Sequence, residues 1–191
     1  PQNDGLVYTL TVTHNDVTYN VSLDSASLSE PVELVVYETT NDISALSLAS
    51  NTMIIGWADS GDRILGVLAR VQIHLGADRA FLPEIVQGPC MALLRFSLPL
   101  GYTDLEVMAE LVPGQLVPVD NGFVVNTPVP PGTHELLFTY LIPYEGDAFS
   151  LRRSFPFGVG DFSVHLAERV GRLTAPAMVE EPNQVIGETT Y

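Results

Sequence analysis

Apolar and polar residues alternate with a period of two along much of the chain, and this period predicts β-strands. The alternation runs on both sides of the tripeptide "HND" at residues 14–16, which predicts a β-hairpin over residues 5–23. A further strand is predicted in "PVELVVYETT" at residues 31–40. Two strands near residues 45–57 and 63–75 flank the turn-forming stretch "ADSGD".

The second half of the chain continues this pattern. A strand is predicted at residues 92–101, and a hairpin with an Asn121–Gly122 turn follows. The alternation along residues 133–142 predicts a strand of a sandwich, with one mostly apolar face and one mixed face. "AFSLRRSFPFG", at residues 148–158, is expected to pair back after the turn "YEGD", and "DFSVHLAE" is the last strand candidate. Only "LEVMAELV" has helical propensity, for about two turns before Pro113 and Gly114.

Short strands at roughly ten-residue spacing, without α/β alternation, predict an all-β fold built as antiparallel β-sandwiches. The length of 191 residues allows one large or two small domains with a buried core. Hydrophobic residues make up 46% of the chain and charged residues 16%, a composition that excludes a disordered polypeptide.

The net charge of the chain limits the kinds of molecule that it is expected to bind. The chain has 23 acidic residues against 8 basic ones, all arginine, and its net charge is −15. Such a field repels phosphate backbones, so no nucleic-acid partner is expected. The acidic charge also keeps an apolar β protein soluble, and it would suit a basic partner.

The sequence carries no recognisable catalytic, cofactor or metal motif, so no such residue is assigned and no enzyme is predicted. The four histidines lack the H-x-x-x-H and H-x-H spacings of metal sites. No G-x-S-x-G elbow or lysine-bearing phosphate loop is present. Asp59 and Asp62 are expected simply to flank a turn, and the alternative is that they bind calcium in a loop. Cys90 is the sole cysteine and is expected to be a small buried hydrophobe.

Five residues are candidates for contact with a ligand or partner: Trp57, Tyr140, Tyr144, Arg152 and Arg153. Trp57 is expected to be a core residue at the end of a strand, since large aromatic residues dominate cores. The arginine pair is expected to face acids on a neighbouring strand, or else an acidic partner.

The order of "VELVVYETTND", "LRFSLPLGYTDL" and "DNGFVVNTPVPPGTHELLFTYLIPY" resembles that in bacterial, Chloroflexi-like cell-surface proteins. In those proteins a carboxypeptidase-regulatory-like, or transthyretin-like, β-sandwich precedes a second sandwich, and a membrane helix often follows. The resemblance covers about Tyr8 to Val164. It implies immunoglobulin-like or transthyretin-like sandwiches. Residues 1–40 would be the last strands of a first sandwich whose start is missing, and residues 41–191 the second sandwich. It also implies an extracytoplasmic location, through an anchor absent from this chain.

These observations predict a non-enzymatic structural or interaction module, a subunit or accessory component of a cell-surface or membrane-associated assembly. Its partners would be other proteins, or further copies of itself. The alternative is a carbohydrate-binding module, which requires Trp57 and tyrosines exposed in one row, whereas the structural role expects them buried. A lesser alternative is a hydrolase, which requires a cleft with two convergent acids or a His–Ser pair.

Overall fold

A computed structural model describes residues 6–25, 27–84, 93–109 and 115–191. Cys90 lies outside these ranges, so its predicted burial stays a prediction. Within them the chain forms β-strands and two short 3₁₀ turns, at Ser27–Ser29 and Ile43–Ala45. In chain order the strands are β1 Tyr8–His14, β2 Val17–Leu23, β3 Thr39–Thr40, β4 Leu46–Asp59, β5 Ile64–Leu75, β6 Ala80–Phe81, β7 Leu94–Ser97, β8 Thr103–Ala109, β9 Gln115–Val119, β10 Gly122–Asn126, β11 Gly132–Pro143, β12 Val159–Leu166, β13 Val185–Ile186 and β14 Thr189–Thr190.

The main body is a sandwich of two sheets. The larger sheet has five strands in the order β12–β4–β5–β11–β8, and the smaller has three in the order β7–β10–β9. All neighbours in these two sheets are antiparallel except β12, which runs parallel to β4 at the edge. The prediction of an all-β sandwich is therefore confirmed.

The core lies between the two sheets and has an aromatic centre. Phe138 of β11 meets Phe123 of β10 edge to face at 5.1 Å between ring centroids, and Phe96 of β7 stacks on Phe123 at the same distance. Around them, every second residue of β5 from Val67 and of β11 from Leu136 points inward and is buried. Burial of this alternating face fixes the register of both long strands, because a one-residue shift would turn every apolar side chain outward.

The first hairpin, β1–β2, forms a separate two-stranded sheet, as predicted. Asn15 and Asp16 make its two-residue turn, both with positive φ, which is the backbone geometry of a type I′ turn. Val17 and Tyr19 of β2 are buried in a small second cluster with Ala80. The predicted domain boundary after residue 40 stays a prediction.

Three predicted elements differ in the structure. Residues 31–38 are irregular rather than a strand. Leu34 and Tyr37 pack on the small cluster at β2, and the Tyr37 N–H donates to the Tyr19 hydroxyl at 3.2 Å rather than to a strand backbone. The Glu38 carbonyl accepts from the Ala80 N–H at 2.8 Å, where pairing of β3 with β6 begins. Residues 103–109 form strand β8 and not a helix, since pairing with β11 outweighs helical propensity.

The third difference concerns residues 148–158, which do not pair back as a strand. Leu151, Phe155 and Phe157 are instead partly buried and pack against the core. The β9–β10 hairpin is confirmed, but its two-residue loop is Asp120–Asn121, one position earlier than predicted, because Gly122 already pairs with Val119.

Candidate functional site

An open pocket of about 470 Å³ lies on the outer face of the five-stranded sheet, away from the core. Ile54, Leu68 and Leu141, from β4, β5 and β11, are apolar residues that line it. Aromatic side chains from Trp57 and Tyr191 also line it. Its volume falls in the range of small-ligand sites, and its lining combines apolar surface with few polar groups.

Trp57 reaches this face because of a β-bulge. Met53 and Ile55 point into the core, so strict alternation would send Trp57 inward as well. The pairing of β4 with β5 skips at Gly56, and this extra residue turns Trp57 to the outer face, where it is 46% exposed. The expectation that Trp57 is a core residue is therefore corrected.

The indole ring of Trp57 lies directly on Gly66, its cross-strand partner on β5. A Cβ atom at position 66 would overlap ring atoms Cε2 and Nε1 of Trp57. Glycine thus leaves the space in which the ring packs on the sheet, as in the pairing of aromatic residues with glycine across strands. The bulge itself is held by Arg169, whose Nε and Nη2 donate to the Gly56 carbonyl at 3.2 and 3.0 Å.

Tyr191 is positioned by the short β13–β14 hairpin. Its backbone exchanges two hydrogen bonds with Gln184, at 2.8 and 2.9 Å, and Glu168 N–H donates to the Thr190 carbonyl at 3.1 Å. The Tyr191 ring meets His165 of β12 edge to face at 6.4 Å. The side chain therefore stands beside the bulge that presents Trp57.

Two carboxylates, Asp104 and Glu106 of β8, line the pocket on its far side. Glu106 faces Thr139 in the register with β11, on the outer face. Asp104 lies where that register shifts, has a φ of 50°, and accepts a hydrogen bond from the Thr103 hydroxyl at 3.1 Å. Among the described residues that line the pocket, none is basic.

Of the other four predicted contact residues, Tyr140 belongs to the pocket lining, whereas Tyr144, Arg152 and Arg153 do not, so the five do not form one site. Tyr140 is a core residue, 1% exposed, with its hydroxyl 3.8 Å from the Met53 sulfur. Tyr144 lies near the β4–β5 turn, where its hydroxyl donates to the Asp59 carbonyl at 3.4 Å. Arg152 is exposed. Arg153 is half-buried and donates to the Ser97 carbonyl at 2.5 Å instead of pairing with an acid on a neighbouring strand.

A second, small cavity of about 10 Å³ is lined by buried Asn51 and half-buried Arg153, and also by exposed residues such as Ser97. Asn51 is 1% exposed, and neither its Oδ1 nor its Nδ2 has a hydrogen-bond partner among the described residues. Burial lowers the pKa of Arg153, because a charged guanidinium is poorly solvated there, while the nearby Tyr140 opposes this shift. Burial likewise raises the pKa of Tyr140.

The predicted turn at "ADSGD" is built by Asp59, whose Oδ1 accepts from Gly61 N–H at 2.7 Å and Asp62 N–H at 3.0 Å. In the described ranges no group of three or more His, Cys, Asp or Glu side chains is arranged to hold a metal ion.

Two of the histidines form local hydrogen bonds. His134 is hydrogen-bonded to the Pro130 carbonyl at 2.8 Å, and His74 is hydrogen-bonded to the Thr133 hydroxyl at 3.1 Å. These side chains therefore have local polar partners.

Within the part of the chain that the structure describes, no helix has the length and apolar character of a membrane span. No protein-family model matches the chain, and no curated protein matches it.

Sequence reasoning named Trp57 but missed Tyr191, Asp104 and Glu106. The alternation of half-buried Leu105 and Val107 with exposed neighbours would have placed Glu106 outward, had a strand been predicted there. No local signal points to Tyr191, because a separate hairpin brings it to the pocket.

Proposed function

We propose that this protein is a non-enzymatic interaction module of an extracytoplasmic, membrane-associated assembly. The observation that supports this best is the apolar face of the β1–β2 hairpin. On β1, Tyr8, Leu10 and Val12 share this face and are all exposed, Leu10 by 39%. Buried Val17 and Tyr19 continue the same face, so part of it is covered by the protein itself and part is open.

The hairpin also offers backbone for pairing. In the described ranges β1 pairs with β2 alone, so its second edge has unpaired amide and carbonyl groups. An exposed strand edge beside apolar side chains is a template for strand addition by a partner protein or a second copy. The location and the membrane anchor are proposed from the resemblance to cell-surface proteins, and so is the immunoglobulin-like or transthyretin-like type of the sandwich.

The test uses the native protein, purified from its source membranes in mild detergent, beside variants expressed in the same cells. Leu10→Glu places a charge on the apolar face, and Thr11→Glu places the same charge on the opposite face of the same strand. We expect wild type and Thr11→Glu to purify with stoichiometric partners, or as an oligomer in sedimentation velocity, and Leu10→Glu to lose them. A wild-type protein that sediments as a partner-free monomer would refute the proposal.

Carbohydrate binding is the second candidate function, and exposed Trp57 is the observation that favours it. An aromatic ring fixed on a sheet surface is a platform for the apolar C–H faces of a sugar ring. Its setting in a pocket with polar groups at the margin suits an orienting role for sugar hydroxyls.

A glycan array that includes neutral and amine-bearing sugars, followed by calorimetry, tests this candidate. Trp57→Ala should abolish binding, whereas Phe149→Ala, which removes an exposed aromatic outside the pocket lining, should not. If the wild-type protein binds no glycan, or if both variants behave alike, the pocket is not a sugar site.

A further inference from the structure

We propose that the pocket on the outer sheet face selects amine-bearing sugars, with a sugar ring on Trp57 and an ammonium group against Asp104 and Glu106. This inference rests on the carbohydrate-binding candidate above and adds the class of sugar. It is carried by three features of the pocket: an aromatic platform, paired acids across from it, and the absence of a lining cation among the described residues.

The aromatic side of the pocket is fixed in place. Trp57 is held on Gly66, and the bulge beside it is tied to Arg169 by two hydrogen bonds. A platform that does not need ordering on binding loses little conformational entropy when a ligand arrives. The same indole face attracts cations, so the ring favours a ligand with both an apolar face and a positive charge.

The spacing across the sheet suits a short oligosaccharide. The Trp57 ring covers Gly66 on β5, and the acids are on β8. β5 and β8 are separated by β11, so their backbones lie two strand spacings apart, about 10 Å. A sugar unit on the ring thus places a group on the same or the next unit within reach of the acids.

The negative charge of the two acids determines which substituent of the sugar they prefer. Asp104 and Glu106 are exposed carboxylates, and no arginine or histidine lines the pocket with them in the described residues. The whole chain adds a net charge of −15, so acidic sugars are repelled. A protonated amine satisfies the carboxylates by charge-assisted hydrogen bonds, which neutral hydroxyls supply more weakly.

The experiment compares three β-1,4-linked tetramers by calorimetry at low salt: glucosamine, N-acetylglucosamine and glucose. We expect the glucosamine tetramer to bind at least about tenfold more tightly than the other two, a difference that added salt reduces. Equal affinity for all three would overturn the amine selectivity and leave carbohydrate binding intact. Binding of none would overturn both.

Variants separate local recognition from general charge. Asp104→Asn with Glu106→Gln should bring the preference for the glucosamine tetramer close to one, while affinity for the glucose tetramer changes little. Trp57→Ala should abolish detectable binding of all three tetramers. Glu145→Gln with Asp147→Asn is the matched control, since it removes the same charge from exposed positions outside the pocket lining. If this control erases the preference equally, the selectivity comes from net charge and the proposed site is wrong.

Discussion

Asn51 allows a sharp test of how the core of this sandwich is built. Its side chain is on the inner face of β4, paired in register with Val71, and it is 1% exposed. Both side-chain polar atoms lack a partner among the described residues. Each buried unpaired polar atom costs about 1–3 kcal/mol, so the amide is a substantial burden on stability.

Asn51→Leu removes both polar atoms at nearly constant shape. Removing two unpaired polar atoms should raise the free energy of unfolding by about 2–6 kcal/mol. Overpacking by the slightly larger leucine should lower it by about 1–3 kcal/mol. We therefore expect the free energy of unfolding to rise by about 1–3 kcal/mol, which for a chain of this size raises Tm by roughly 3–10 °C.

Urea unfolding followed by circular dichroism measures this change, with an unchanged m-value as the sign that the denatured state is not altered. Asn20→Leu, at an exposed position of β2, is the control and should shift stability by less than about 0.5 kcal/mol. A loss of about 1 kcal/mol or more in Asn51→Leu would refute the reasoning. Such a loss is expected if a water in the cavity of about 10 Å³ beside Asn51 satisfies the amide, or if overpacking by leucine outweighs the removal of the polar atoms.

Three further predictions concern single positions. Gly66→Val would displace the indole of Trp57, costing about 1–3 kcal/mol and red-shifting the emission of this sole tryptophan; unchanged emission would contradict the contact. Because burial raises the pKa of Tyr140, the folded protein keeps the phenol protonated where the unfolded chain ionises, so the stability of the wild type falls as pH rises above about 10. Tyr140→Phe should remove that fall. Equal pH profiles of wild type and variant in urea unfolding would show that Tyr140 does not cause the fall. Gly122→Ala would place a Cβ against the carbonyl oxygen of Phe96, and calorimetry should show that the free energy of unfolding falls by roughly 2 kcal/mol or more. An unchanged Tm would disprove the contact.

Several elements could be predicted from the chain alone because local pattern and tertiary environment agree in them. The hairpin at residues 14–16, the long strands β4 and β5, and the apolar face of β11 all follow from period-two alternation and turn chemistry. In β4, β5 and β11 one face is buried, so the hydrophobic pattern that the sequence displays is the one that packing requires. The hairpin follows instead from its Asn15–Asp16 turn, since β1 is exposed. The all-β class follows from the same agreement.

The prediction fails where packing is satisfied in another way. Residues 31–38 alternate like a strand, yet Leu34 and Tyr37 bury their side chains against a neighbouring strand without joining a sheet. Residues 103–109 have helical propensity, yet pairing with β11 makes them a strand. Propensity and periodicity describe a segment alone, whereas pairing depends on which segment lies beside it.

The pocket was decided by tertiary structure. A strict period of two sends Trp57 into the core, and only the skipped register at Gly56 turns it to the outer face. Asp104, Glu106 and Tyr191 are far from Trp57 in sequence and meet it through sheet order and a separate hairpin. Composition and alternation thus determined that this chain forms a β-sandwich with an acidic surface. A single bulge and the order of the strands determined where that surface has a site, because both act through contacts between residues distant along the chain.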